Sequence, residues 1–112
     1  MDAPTALSAT AAELLDKARE HGSSGRAART LTGGADRMLR QTLIGILAGA
    51  TLDEHENPGE ATLQVLSGRV VLRTSTDETT LTAGTHVAIP DSRHSVEALE
   101  NSAILITVAM HL

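Results

Sequence analysis

Two histidines stand where imidazole chemistry has its best setting. His55 lies in Gly49-Ala-Thr-Leu-Asp-Glu-His55-Glu-Asn57-Pro58-Gly59-Glu60-Ala61, closed by Val65-Leu66-Ser67-Gly68. His94 ends Gly84-Thr-His-Val-Ala-Ile-Pro90-Asp91-Ser92-Arg93-His94. Each sits beside a turn and next to a strand-like apolar run. Such an arrangement can bring two imidazoles together inside a small β-barrel. A neutral imidazole can donate, accept, or ligate a metal. The competing reading is a buried histidine pair that only satisfies its own hydrogen bonds.

Other polar residues join or leave this constellation on simple grounds. Gln41 shares a strand face with Leu39 and Leu43, which makes it a candidate pocket polar group. Arg40 lies on the opposite face. General burial frequencies favour an exposed arginine there, and an inward one would suit a carboxylate ligand. Arg93 reads as a solvated turn residue or a guard at a pocket mouth. Ser92 and Ser95 flank His94 without forming a defensible Ser-His-Asp arrangement. Asp53, Glu54, Glu56 and Glu60 read as a solvated rim. His86 has no assigned place, and His21 and His111 lie too near the chain ends to carry chemistry.

The chain that must position these groups has 112 residues and reads as one domain. Its net charge of −5 and scattered basic residues argue against a nucleic-acid surface. There is no cysteine, so disulfide and thiolate chemistry are excluded. Neither a signal pattern nor a long apolar span is present, so a cytoplasmic protein without a membrane role is expected. Phe, Trp and Tyr are all absent, so no ring can stack on a sugar, base or cation. Leu, Ile, Val, Ala and Met must fill the core.

Residues 8–21 predict an amphipathic helix with Leu7, Ala11, Leu14, Leu15 and Ala18 on one stripe. Thr10 and Glu13 form a candidate capping box, and Gly22 a stop. Ala27 to Leu31 reads as a short strand. Residues 1–36 together are a helix and arm, and 37–112 a barrel. Strands are expected over Met38–Ala48, Thr51–His55, Thr62–Ser67, Arg69–Thr74, Glu78–Leu81, His86–Ile89, Ser95–Leu99 and Ala103–Met110. Ser67-Gly68 reads as a tight hairpin and Thr76-Asp77 as another turn. Alternation puts Ala61, Leu63 and Val65 on one face of their strand. It likewise puts Ile104, Ile106, Val108 and Met110 on the core face of the last strand.

Over residues 38–111 the chain resembles the cupin family. The first cupin motif runs Gly, five residues, His, one, His, three or four, Glu, six, Gly. The same spacing here gives Gly49, His55, Asn57, Ala61 and Gly68. The second motif runs Gly, five, Pro, one, Gly, two, His, three, Asn. This chain gives Gly84, Pro90, Ser92, His94 and Ala98, one residue short after the proline. The resemblance implies an all-β double-stranded β-helix, or jelly-roll barrel, with a pocket inside. It also implies a homodimer, which the apolar residues on both faces of Met38–Ala48 support. In metal-binding cupins the ligands would fall on His55, Asn57, Ala61 and His94, holding Fe, Mn, Ni, Cu or Zn. Ala61 cannot ligate, and Asn57 offers only a weak neutral oxygen. Glu60 could serve as third ligand only if the Pro58-Gly59 turn shifted the register.

The expectation is therefore a small-molecule-binding barrel with an apolar pocket lined by Leu63, Val65, Ile106 and Val108. His55, Asn57, His94 and Gln41 mark it, and His55 and His94 are the metal candidates. Alternatives are a metal-dependent oxygenase or isomerase, and a structural or sensory dimer with a vestigial pocket.

Overall fold

The computed structural model describes residues 3–21, 24–55 and 59–110, with the side chains of 21, 54 and 55 outside that description. One helix, α1 (Leu7–His21), precedes nine strands among the described residues. These are β1 (Arg26–Thr32), β2 (Leu39–Ile46), β3 (Thr51–His55), β4 (Gly59–Ser67), β5 (Arg69–Arg73), β6 (Glu78–Thr82), β7 (His86–Ile89), β8 (His94–Ala98) and β9 (Ser102–Met110). They form a five-stranded sheet, β1-β2-β9-β4-β7, and a four-stranded sheet, β3-β8-β5-β6. Every pairing is antiparallel. Period-two burial gives each sheet one apolar face, and the two faces close on each other as a jelly roll.

The sandwiched core holds Ile44, Ile46, Leu63, Val65, Val70, Leu72, Val96 and Ile104, with Ile106 and Val108 packed against it. Ala61, Leu63 and Val65 point inward as the alternation predicts. The inner row of β9 does the same with Ile104, Ile106 and Val108.

The second apolar face of β2 has a partner within the chain. Leu43 and Ala103 pack against Ala11 and Leu14 of α1. Gly45 lets the helix approach, because a Cβ there would stand 2.8 Å from the Leu15 backbone nitrogen. The apolar stripe extends back to Leu7, so packing carries the helix start upstream of the expected capping box. Thr10 is buried and its N–H bonds the Ala6 carbonyl at 3.0 Å, which places it inside the helix rather than at its cap. The expected stop, Gly22, lies outside the described residues. β1 pairs with β2, so the second half of the arm is the edge strand of the large sheet.

The Thr76-Asp77 turn joins β5 to β6 as expected, with Thr74 N–H donating to Asp77 O at 2.9 Å. Ser67-Gly68 does not make a hairpin. β4 and β5 belong to different sheets, and the chain turns a corner between them. Gly68 has φ +82°, and a Cβ there would collide with Ser102 Oγ and the Asn101 carbonyl. Both a hairpin and a corner want glycine here, which is why sequence did not separate them.

Candidate functional site

The two histidines meet at one end of the barrel. β3 and β8 pair in regular register through Leu52↔Val96, and the next pair is His55↔His94. Asp53 and Glu54 thus stand against Ser95 alone, which is a β-bulge. Without it, Glu54 would oppose His94. The bulge moves the backbone of His55 into that position.

His94 opens β8 immediately after the Pro90–Arg93 connection, and it is 1% exposed. Its parity with Val96 and Ala98, both core residues, turns it inward. Nδ1 lies 3.0 Å from the Ser92 carbonyl. A carbonyl only accepts, so Nδ1 donates this bond and the ring orientation is fixed. A hydrogen bond to a carbonyl is the usual way in which a functional imidazole is oriented.

The large sheet contributes the opposite wall. Across it runs a row of paired residues, Arg40↔Val108, Val108↔Ala61 and Ala61↔Ile89. Ile89 leads through the short Pro90–Arg93 connection to His94, so this row and the histidines share one end of the barrel. Ala61 is 6% exposed and aliphatic, so the position where metal-binding cupins carry glutamate has no donor. Ile106 and Val108 are half-buried, while Leu63 and Val65 are fully enclosed. The expected pocket wall thus divides: Leu63 and Val65 belong to filled core, and Ile106 and Val108 to the opening.

Several expectations need correction. Gln41 lies on the outer face of β2, on the side of Leu43, and Nε2 donates to Thr107 Oγ1 at 3.3 Å. Unbroken alternation along β2 keeps it outside the chamber. Glu60 is exposed beside the inward Ala61, so the turn before it has not brought it inside as a third ligand. Arg40 faces the barrel side with Ile44 and Ile46 rather than solvent, because Gln41 takes the outer face. It is half-buried, and its Nε has no hydrogen-bond partner among the described residues. His86 is exposed on β7, opposite the exposed Gln64. Asn57, Glu56, His111 and the side chains of His55 and His21 lie outside the described residues.

Charge elsewhere is structural. The Arg73 guanidinium bonds Glu78 at 2.7 Å and also pairs with Glu97, and these contacts raise its pKa, Glu78 most. A concavity of about 660 Å³ lies at the β1–β2 loop against Leu31, Asp36, Arg37, Met38 and Leu39. It takes in neither wall of the histidine end, so volume and convergent polar chemistry disagree, and chemistry is the better guide.

A two-sheet jelly roll with a polar pair at one mouth defines a class of β-barrel that solved structures make specific. A conserved protein of unknown function from Streptococcus pyogenes is 22% identical, with 80% of this chain and 78% of that one covered and a TM-score of 0.72. A cupin superfamily protein from Desulfitobacterium hafniense gives 17% identity, 77% and 78% coverage and a TM-score of 0.71. An RmlC-like cupin from Shewanella frigidimarina gives 19%, 80% and 79%, and 0.69. This chain has the cupin fold. No family model and no curated protein matches its sequence.

The metal that many cupins carry can be tested against these residues. Among the described residues no group of three or more His, Asp or Glu could hold an ion. Ala61 supplies no atom, and Glu60 is turned away. The four-ligand set of metal-binding cupins does not fit this chain.

Proposed function

We propose that the His55–His94 end of the barrel binds a small organic molecule. The observation that carries this reading is the register His55↔His94, made by a bulge and combined with the burial and carbonyl bond of His94. An enclosed imidazole at the same end of the barrel as half-buried Ile106 and Val108 suits a ligand with one polar contact and an aliphatic body. Thermal-shift measurements on wild type, His55→Ala and His94→Ala over a library of small acids, amides and alcohols test it. Ligand-induced shifts should shrink in both variants, whatever their own melting temperatures. Equal shifts in all three proteins refute the reading.

A second reading, a metal-dependent oxygenase or isomerase, has one observation in its favour. The Nδ1–carbonyl bond is the kind that orients metal-bound histidines. The missing carboxylate at Ala61 opposes it. Protein purified without a chelating column should hold far less than one Fe, Mn, Ni, Cu or Zn per chain, and stoichiometric metal would reverse the order of the two readings.

The homodimer is also a proposal. With the outer face of β2 taken by α1, its support moves to Met38 and Leu39, exposed side by side. Light scattering should give twice the chain mass, and a monomer at millimolar concentration would retire the dimer.

Among the described residues no helix is long and apolar enough to cross a bilayer.

A further inference from the structure

The two sheets end on β1, β7, β3 and β6. A free sheet edge is a template for pairing, and proteins shorten, bulge or charge their edges to prevent it. β7 has four residues before Pro90, β3 is bulged beside Asp53 and Glu54, and β6 has five residues and opens on Glu78. β1 is longer, with seven residues and neither proline nor acid. Its bulge lies at the far end, between Thr30 and Thr32. The phase of the ladder fixes which of its groups are free. Leu47 N–H donates to the Gly25 carbonyl at 2.8 Å, so Gly25↔Leu47 continues the β1–β2 register as a bonded pair. Bonded and non-bonded pairs alternate along an antiparallel ladder. Ala27 and Arg29 therefore bond to β2, and Arg26, Ala28 and Thr30 turn their backbone groups to the open side. The Arg26 carbonyl meets Ser24 Oγ there at a long 3.5 Å. Ala28, Arg29 and Thr30 are exposed.

We propose that β1 pairs with β1 of a second copy, antiparallel about a two-fold axis at Ala28, and joins the two large sheets into one. This rests on the homodimer reading and names its surface. In this register Ala28 meets the partner's Ala28, and Arg26 meets the partner's Thr30. Each outward backbone group of the regular stretch then has a bond. Arg29 stands opposite the partner's Ala27, so like charges do not oppose each other. The Arg26 guanidinium is drawn away to the Thr51 carbonyl at 2.9 Å. The helix fits the same axis. α1 packs over β1 and β2, about one strand spacing from the axis, so the two helices come about 10 Å apart, a helix-packing distance. Leu14 and Leu15 cross the sheet at Gly45, which pairs with Ala27 beside the axis. Ser8, Ala12 and Leu15 face β4 across a groove with Leu66 and Ser67. The opposite flank, turned to the free edge, carries Glu13 and Lys17, both exposed and about one turn apart. A two-fold axis reverses their order, so Glu13 faces the partner's Lys17 and Lys17 the partner's Glu13.

The test follows self-association of the full chain by sedimentation over a concentration series. Ala28→Pro keeps the ladder to β2, because the amide it removes points outward, and should weaken the dimer about tenfold or more. Ala28→Lys sets like charges face to face across the axis and should do the same. It serves if the proline variant does not fold. Ala88→Lys, exposed on the opposite edge strand β7, should leave association unchanged. The chain has no cysteine, so Ala28→Cys is a clean probe. Directly bonded residues stand about 5.5 Å apart at Cα, within disulfide reach, and mild oxidation should link the copies. Wild-type affinity in both Ala28→Pro and Ala28→Lys, with no link in Ala28→Cys, would overturn the edge pairing and leave the homodimer to another surface. A wild type that stays monomeric at millimolar concentration would overturn both.

Discussion

The two ends of this barrel are built from the same aliphatic residue types and finished in opposite ways. At the closed end, Ser102 is fully buried and its hydroxyl is used twice. It donates to Glu100 O at 2.7 Å and accepts from Arg69 N–H at 3.0 Å. Asn101 Oδ1 accepts from Ala48 N–H at 2.9 Å, and Gly49 N–H bonds Ala98 O at 2.8 Å. At the open end, Arg40 Nε has no partner among the described residues, and Ile106 and Val108 stay half-buried. Stability accumulates where polar groups are paired, and binding capacity remains where they are not.

One substitution made at both ends gives the largest contrast. Ala98→Glu would bury a carboxylate among Ala50, Val70 and Leu81, at a cost of about 4 kcal/mol or more. Ala61→Glu puts the same group beside the mouth and should cost less than half as much. Urea denaturation of both variants measures the difference, and equal losses would erase the distinction between the ends.

Gly68 gives the next largest effect. Alanine there adds a left-handed backbone penalty of about 1–2 kcal/mol to a collision with Ser102 and Asn101. A total loss near 3 kcal/mol is expected from the two together. Gly49 has a similar φ of +86° but open space around its Cβ direction. Gly49→Ala should therefore lose only the backbone part, about 1–2 kcal/mol. If the two alanine variants melt together, the corner is not tightly packed. Ser102→Ala ranks third. It leaves Arg69 N–H without its acceptor and should cost about 1–3 kcal/mol in the same assay.

The sequence revealed local elements well and contacts between elements poorly. Alternation along 61–65 and 104–108 found the core faces, because the period of a strand is a local property. Motif spacing led to His55 and His94, whose pairing the register shows. The β-bulge that aligns them has no signature in Asp53-Glu54. The doubly apolar β2 suggests a dimer face, and α1 covers its outer side. Hydrophobicity says that a surface must be buried and does not name its cover. Gly45 held the missing clue, a glycine in mid-strand where another backbone comes close. Alternation puts Gln41 with Leu43 and Arg40 with Ile44, but both faces of β2 are apolar, so alternation does not say which of them is the inner one.

Arg40 gives the smallest and most informative effect, since its sign is opposite to the others. A buried donor without an acceptor is a liability to the fold. The buried Nε–H is desolvated without compensation, so an apolar replacement of similar length removes a cost while keeping the contacts of the stem. Arg40→Met should stabilise the protein by about 0.5–1 kcal/mol, read as a higher urea midpoint with an unchanged slope. The same change at the closed end cannot gain, because there each buried polar atom already has its partner. A clear loss of stability in Arg40→Met would mean that the arginine holds the β1–β2 loop through Gly34 as a structural strut. The open end would then be finished in the same manner as the closed one, and the contrast between them would disappear.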